Sequence, residues 1–101
     1  MSNQTVLGVH LVCHANENIV ELPNGRFESR RWALSRSYLK PGQLYVALHE
    51  SHSNSSYRQG VLESWADDEQ VPGRVVLTVR ATQTPLTWTG RGERVSNDRG
   101  N

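Results

Sequence analysis

The stretch YVALHESHSNSSYRQGVLESW, residues 45–65, decides how this chain folds. Apolar side chains alternate with polar ones in its first part, as in a β-strand, and again in its last part. Between these two runs, residues 49–60 carry no aliphatic side chain. Two strand-like runs joined by a polar segment predict an antiparallel hairpin, whose tip is either a solvated turn or a ligand-binding loop.

Other segments show the same alternation on both sides of this hairpin. TVLGVHLVCHA, residues 5–15, predicts a strand with Leu7, Val9 and Leu11 on one face. RVVLTVRA, residues 74–81, alternates cleanly, and we expect its three apolar side chains at positions 75, 77 and 79 to lie inside. TPLTWTG, residues 84–90, predicts a last short strand.

Two glycines interrupt these predicted strands. Gly8 lies in the middle of the first strand and Gly60 in the second half of the hairpin. A glycine inside a strand indicates a bulge or a close approach of a neighbouring backbone. We therefore expect a bulge or a close backbone approach at Gly8, and a bulge at Gly60.

The turn signals define the fold class. Pro23-Asn24-Gly25 and Pro41-Gly42 separate strands that recur about every ten residues, and Ser35 or Ser37 could cap a single helical turn. Because a chain of 101 residues suffices for one core, we expect one mainly β domain, a small barrel of five or six strands with minor helix. The domain is expected to cover residues 1–92, followed by a polar, mobile tail at 93–101.

Composition narrows the class of protein. A net charge of +1 excludes a strongly cationic protein of histone type, and ten of the eleven basic residues are arginine. Cys13 is the single cysteine, which excludes an internal disulfide and is typical of a reducing compartment. No run approaches the roughly 20 apolar residues of a membrane span, and the N-terminus lacks a signal-peptide pattern. We expect a soluble cytoplasmic protein.

Catalytic and metal-binding motifs are weak in this sequence. His10 and His14 are four residues apart, which on a strand separates them by about 13 Å, too far to share one zinc ion. Glu50, Ser51 and His52 are adjacent, but neighbours on an extended chain point in opposite directions and do not form a catalytic relay. We therefore predict no metal site and no cofactor.

Aromatic residues occur beside arginine and small polar residues. Trp32 precedes Ser35 and Arg36, and Tyr57 precedes Arg58 and Gln59. Aromatic rings stack on nucleic-acid bases, arginine neutralises phosphate, and amides or hydroxyls bind base edges. This pattern favours nucleic-acid binding, although a solvated surface would contain the same residue types.

Three segments carry motifs in a distinctive order. RWALSRSYLKPGQLYVALHES, residues 31–51, contains a tryptophan, a Lys-Pro-Gly turn and a strand that ends in a polar segment with histidine. SYRQGVLESW, residues 56–65, and RVVLTVRATQTPLTWTG, residues 74–90, complete the set. This order of motifs resembles that of the PUA-like superfamily, which includes the EVE and ASCH domains. The resemblance implies a small β-barrel whose groove binds RNA or a modified, sometimes flipped, DNA base.

Under that resemblance, the polar segment of the hairpin would line the groove and a tryptophan would form a stacking wall. The nucleic-acid-binding residues expected from the motifs and the resemblance together are Trp32, Ser35, Arg36, His49, Ser51, Ser55, Tyr57, Arg58, Gln59 and Trp88.

Two other classes of function stay open. Some ASCH-like proteins are small amidohydrolases, and here Lys40, Glu50 and a serine or threonine would be the candidates for acting on a modified nucleoside. A phage- or defence-related accessory module that binds another protein is the third class. An exposed sheet edge also leaves dimerisation open.

Overall fold

A computed structural model describes residues 5–14, 17–90 and 95–100. The chain forms one seven-stranded sheet with the order β2-β3-β6-β5-β4-β1-β7. The strands are β1 (Thr5–Val12), β2 (Ile19–Leu22), β3 (Arg26–Trp32), β4 (Tyr45–His49), β5 (Arg58–Asp67), β6 (Val75–Ala81) and β7 (Val95–Gly100). A 3-10 turn at Arg36–Tyr38 is capped by Ser35, in agreement with the predicted helical turn.

The sheet is mixed. β1 runs parallel to β4, and every other neighbouring pair is antiparallel. The hairpin predicted from residues 45–65 is confirmed, since β4 and β5 pair from Tyr45 opposite Val61 to Leu48 opposite Arg58.

The mainly β class is confirmed, but closure into a barrel is not. Among the described residues no strand pairing joins β2 to β7, so the sheet stays open. The strand count also differs from the expected five or six. Val95–Gly100 lies in the predicted polar tail and pairs with β1 instead, while residues 93, 94 and 101 of that tail lie outside the described residues.

The predicted strand at residues 84–90 was wrong. Residues 82–90, named the strap here, contain no strand and cross one face of the sheet. The backbone of the strap bonds to Ser56 and Gln59 singly rather than in a ladder, and Pro85 has no N–H to donate. Within the described residues, no helix is long and apolar enough to cross a membrane.

The hydrophobic core covers the other face of the sheet. β6 alternates as predicted, with three buried side chains that face the core and Arg80 exposed. β1 and β4 differ from β6 because they are buried on both faces. The fully buried aliphatic and aromatic side chains of this core include Val9, Leu11, Phe27, Leu44, Val46, Leu48, Leu62, Val75, Leu77 and Val79.

Both strand glycines allow a close approach. β1 has a register shift between Val6 and Gly8, so the expected irregularity at this glycine is confirmed. A Cβ on Gly8 would lie 2.2 Å from the Tyr45 ring, so the close neighbour is a side chain and not the expected backbone. The shift coincides with an outward position of Leu7, which is 44% exposed rather than facing the core. At Gly60 the pairing is regular, but a Cβ would lie 2.0 Å from the carbonyl oxygen of Arg80.

The substitution Gly60→Ala should destabilise the protein by about 2 kcal/mol or more, because the clash is with the backbone of β6 and cannot be relieved by a rotamer change. The melting temperature should fall by about 10 °C, since 1 kcal/mol corresponds to about 4–8 °C in a domain of this size. Ser64→Ala, at an exposed position of the same strand, is the matched control and should change stability by less than about 0.5 kcal/mol. Equal melting temperatures for the two variants would contradict the packing described for Gly60.

Candidate functional site

Polar side chains gather on the face of the sheet beneath the strap. The parallel register places Gly8 beside Tyr45, His10 beside Ala47 and Val12 beside His49. Because alternate residues share a face, the imidazole of His10 lies between the side chains of Tyr45 and His49. The small side chain of Ala47, directly beside His10, leaves room for that ring, and Gly8 leaves room for the ring of Tyr45.

These three side chains form a continuous chain of hydrogen bonds. The Tyr45 hydroxyl lies 2.8 Å from Nε2 of His10, and Nδ1 of His10 lies 2.8 Å from Nε2 of His49. Nδ1 of His49 lies 2.8 Å from the backbone carbonyl oxygen of Asn54. His10 and His49 are 1% and 0% exposed, so these contacts replace hydration that burial has removed.

The direction of donation follows from the carbonyl end. A carbonyl oxygen only accepts, so His49 must carry its proton on Nδ1, and in the neutral ring Nε2 then accepts. Nδ1 of His10 must therefore donate to His49. At the other end of the chain, Nε2 of His10 and the Tyr45 hydroxyl are within hydrogen-bond distance, and the protonation of His10 determines which of them donates.

Burial favours this neutral state at His49. Burial lowers the pKa of His49 below its usual value and the nearby His52 lowers it further, whereas the hydrogen bond to Asn54 raises it. The charged form is disfavoured because the buried ring has lost water.

Trp88 covers the histidines from the side of the strap. Its ring centroid lies 5.7 Å from that of His10, 5.1 Å from His49 and 4.9 Å from His52. The ring planes of Trp88 and His49 are inclined by 82°, an edge-to-face arrangement that suits aromatic quadrupoles. Trp88 is 9% exposed, so it shields the hydrogen-bonded chain from water.

Ser56 and Gln59 hold the strap on the sheet. Ser56 exchanges two hydrogen bonds of 2.8 Å with Leu86, one through its backbone N–H and one through its hydroxyl oxygen. The same hydroxyl donates to the amide oxygen of Gln59 at 2.6 Å, and the amide nitrogen of Gln59 donates to the carbonyl of Thr82 at 2.6 Å. Ser56 and Gln59 are both buried, so the anchors are rigid.

A cavity of about 570 Å³ lies between the strap and the sheet. Its lining combines aromatic and aliphatic surface with hydroxyl groups: His10, Tyr45, Gly60, Val61, Thr82, Thr84, Leu86, Thr87 and Thr89. The volume falls within the range of about 300–1,000 Å³ that is typical of small-molecule sites, which are mostly apolar with a few placed polar groups.

Three of the predicted site residues, His49, Gln59 and Trp88, lie around the strap, but none of the ten predicted residues lines this cavity. His49 belongs to the hydrogen-bonded chain, the Gln59 amide anchors the strap, and the Trp88 ring covers the histidines. Ser51 and Ser55 lie on the hairpin loop, where the Ser51 hydroxyl is 3.0 Å from that of Ser53 and Ser55 is exposed.

The predicted arginines pair with carboxylates. Arg36 binds Asp67 through two nitrogens, at 2.5 and 2.9 Å, on the exposed surface. Arg58 forms an ion pair with Glu21 and lies over the ring of Phe27. In both pairs a carboxylate balances the charge of the arginine, which makes that charge less available to phosphate than the sequence pattern predicted.

The remaining predicted aromatic and serine residues have structural contacts. Tyr57 packs against the core and its hydroxyl donates to the carbonyl of Cys13. Ser35 caps the 3-10 turn. Trp32 is 6% exposed, and its indole N–H donates to the hydroxyl of Ser29 at 2.7 Å.

Trp32 also borders a second cavity, of about 420 Å³. Arg30, Arg31 and Arg74 contribute to its lining, together with Glu17. Arg30 pairs with Glu28, but within the described part of the chain neither Arg31 nor Arg74 lies within salt-bridge distance of a carboxylate. Arg31 and Arg74 therefore leave this edge with positive charge that no described carboxylate balances at salt-bridge distance.

His10, Tyr45 and Ser56 were not predicted as site residues. The alternation of residues 45–49 indicates that Tyr45 and His49 share one face of β4, which was a usable signal. Nothing in the local pattern indicates that His10 joins them, because its hydrogen bond to His49 connects residues 39 positions apart.

The described residues contain no group of three or more His, Cys, Asp or Glu placed to hold a metal ion. No family model, curated protein or solved structure matches this chain.

Replacing Ser56 should loosen the strap. Ser56→Ala leaves the Leu86 N–H and the amide oxygen of Gln59 without their partner, at a cost of about 1–3 kcal/mol in the free energy of unfolding. Hydrogen exchange at the Leu86 amide should also accelerate. Ser55→Ala, at the exposed neighbouring position, should leave both quantities unchanged; equal exchange in the two variants would contradict this anchoring.

The stability of the protein should fall as the pH falls below about 6.5. There the unfolded chain protonates His49, while the folded protein, in which the pKa is lowered, does not until lower pH. The stabilisation from the neutral His49 ring is therefore fully present at a pH above the pKa of histidine in the unfolded chain. Below that pH the stabilisation decreases by at most about 1.4 kcal/mol per pH unit. Urea unfolding between pH 8 and pH 5 measures this slope.

The slope should be smaller in His49→Gln, and should persist in His14→Gln, whose imidazole is exposed. Stability that stays constant from pH 6.5 to pH 5 in the unmodified protein would contradict the neutral buried state of His49.

Proposed function

We propose that this protein is a nucleic-acid-binding module of PUA-like type that takes a single base into the cavity beneath the strap, without catalysing a reaction. The observation that carries the proposal is the cavity of about 570 Å³ between the strap and the face of β4 that bears Tyr45. A flipped or single-stranded base is planar, has two apolar faces and has a polar rim, and this lining offers contacts for each.

Base recognition needs an apolar wall and adjustable polar groups. Tyr45 and Leu86 supply apolar surface, and the threonines of the strap supply methyl groups as well as hydroxyls. A threonine hydroxyl can donate or accept, so several base edges could be bound at this rim.

The resemblance to the PUA-like superfamily adds support from the order of the elements. The Lys-Pro-Gly motif forms a turn, in which the N–H of Gln43 donates to the carbonyl of Lys40, and β4 follows directly. The polar segment after β4 forms the loop that anchors the strap through Ser56.

Arg31 and Arg74 are the groups best suited to the phosphate backbone. They border the second cavity, and no carboxylate within the described residues competes for them at salt-bridge distance. Arginine binds phosphate bidentately, and such contacts weaken as the salt concentration rises.

The geometry gives less support to an amidohydrolase. Lys40 and Glu50 lie beyond opposite ends of β4, whose five residues alone span about 13 Å. A carboxylate oxygen of Glu50 also lies 3.4 Å from Nδ1 of His14. Groups that act on one reacting carbonyl must both lie within hydrogen-bond reach of it, and this backbone separation gives less support to a catalytic role than to a binding one.

The test is fluorescence polarisation with short single-stranded and duplex oligonucleotides at two salt concentrations. We expect binding that weakens with salt and that is at least tenfold weaker in Val61→Tyr, because the larger ring would occupy the cavity that Val61 lines. Val61 is 37% exposed, so the substitution should leave the core intact.

Val20→Tyr is the matched control, since Val20 is 40% exposed on β2 and does not line the cavity. Its affinity should equal that of the unmodified protein. Binding that is unaffected by Val61→Tyr would remove the cavity from the proposal, and no binding to any oligonucleotide would refute the proposal itself.

A further inference from the structure

The second cavity lies across the open side of the sheet. Its lining includes Val95 of the edge strand β7 and Asn18, which directly precedes the other edge strand, β2. The space between these edges, about 420 Å³, therefore borders residues from both ends of the sheet order. A cavity of this size can hold a small ligand.

A β-bulge brings two consecutive arginines to this cavity. The pairing of β3 with β6 shifts between Ser29 and Trp32, so Trp32 takes the buried position that regular alternation would give to residue 31. Neighbouring residues of a regular strand point to opposite faces, but here Arg30 and Arg31 both line the cavity. Bulges next to functional sites often redirect a side chain in this way.

The bulge holds Arg31 in a backbone conformation that few side chains adopt. Its φ is 69°, in the left-handed region that favours glycine. The other described non-glycine residues with a positive φ are Asn18 and Asn24, and asparagine tolerates this conformation better than arginine does. Because such a conformation costs free energy and occurs preferentially at binding and active sites, it indicates a use for the Arg31 side chain.

Two of the three arginines in the lining offer their charge to a ligand. Arg30 lies 2.8 Å from the carboxylate of Glu28, which balances its charge. Arg31 and Arg74 are exposed, and none of the described carboxylates lies at salt-bridge distance from either of them. Gln70 accepts a hydrogen bond of 3.1 Å from Arg31, which orients the guanidinium, and that group has further N–H donors for a ligand.

We infer that the second cavity binds a phosphate monoester, with Arg31 and Arg74 as its cationic ligands. A guanidinium pairs bidentately with phosphate oxygens. At pH 8, above its second pKa of about 6, a monoester carries about two negative charges, which two arginines balance, whereas a phosphodiester carries one. The inference deepens the proposed function, because it narrows the phosphate contact to the phosphorylated end of a strand, and it rests on that function for this source of the ligand.

The first measurement compares methyl phosphate with dimethyl phosphate by nuclear magnetic resonance titration at pH 8. We expect methyl phosphate to bind about tenfold more tightly, as expected for one more charge-assisted hydrogen bond. Arg31→Gly should remove most of this preference, and the bulge should keep its geometry because glycine readily adopts a positive φ. Equal binding of the two probes, or a preference that survives Arg31→Gly, would overturn the inference.

Asn24→Gly is the matched control, since Asn24 is exposed, has a φ of 64° and does not line the cavity. Its preference should be that of the unmodified protein. Glu17→Gln tests the sign of the charge that the cavity binds, because it removes a carboxylate from the lining. Methyl phosphate should bind Glu17→Gln more tightly than the unmodified protein, and weaker binding would contradict an anion site.

The second measurement identifies the source of the phosphate. Fluorescence polarisation compares oligonucleotides of one sequence that carry a phosphate at one end, at the other end or at neither. We expect one of the phosphorylated ends to strengthen binding about tenfold in the unmodified protein and in Asn24→Gly, but not in Arg31→Gly.

The outcomes separate this inference from the proposed function. Equal binding of the three oligonucleotides would overturn the strand end as the source, and a preference for methyl phosphate would then assign the cavity to a free phosphate monoester. No binding of any oligonucleotide would refute the proposed function, while the titration with methyl phosphate decides whether the cavity is a monoester site.

Discussion

The parallel pairing of β1 with β4 is the constraint on which the rest of the structure depends. Parallel neighbours cannot be joined by a tight turn, so the chain between Val12 and Tyr45 must cross from one end of the pair to the other. The β2-β3 hairpin and the capped 3-10 turn lie in this connection between β1 and β4. Parallel strands are usually covered on both faces, and here the core covers one face and the strap the other.

Covering the second face requires that its polar side chains be satisfied without water. An unpaired imidazole in that position would cost about 1–3 kcal/mol. The chain from Tyr45 through His10 and His49 to Asn54 pairs every ring nitrogen of the two buried histidines.

Much of the fold could be predicted from local patterns. The hairpin of residues 45–65, the inward side chains of β6 and the close approach at Gly8 follow from alternation and from the special geometry of glycine. β7 could not be predicted in this way, because VSNDRG has a single aliphatic residue and forms a strand through its pairing with β1. The strap was wrongly predicted to contain a strand because Leu86 and Trp88 alternate with polar residues. Their side chains pack on the sheet, but the backbone forms no ladder of hydrogen bonds with it.

The candidate site was predictable only where its residues belong to one strand or one loop. His49, Gln59 and Trp88 were expected to contact a ligand, and the structure places their polar or aromatic groups in the layer that supports the cavity. Tyr45 and His49 share a face of β4 by simple alternation, but His10 joins them only through the pairing of distant strands. Nor could the sequence reveal that Glu21 and Asp67 pair with two of the predicted arginines.

The hydrogen-bonded chain ends on a main-chain carbonyl, and this has a consequence for how the protein can change over evolutionary time. If the last acceptor were a side chain, mutation could replace it with a donor, and the direction of the hydrogen bonds that depend on it would reverse. The carbonyl of residue 54 is present whatever amino acid occupies that position. Mutation can therefore remove or replace side chains in this series of hydrogen bonds. The direction of donation at its carbonyl end is fixed by the backbone and does not depend on the sequence.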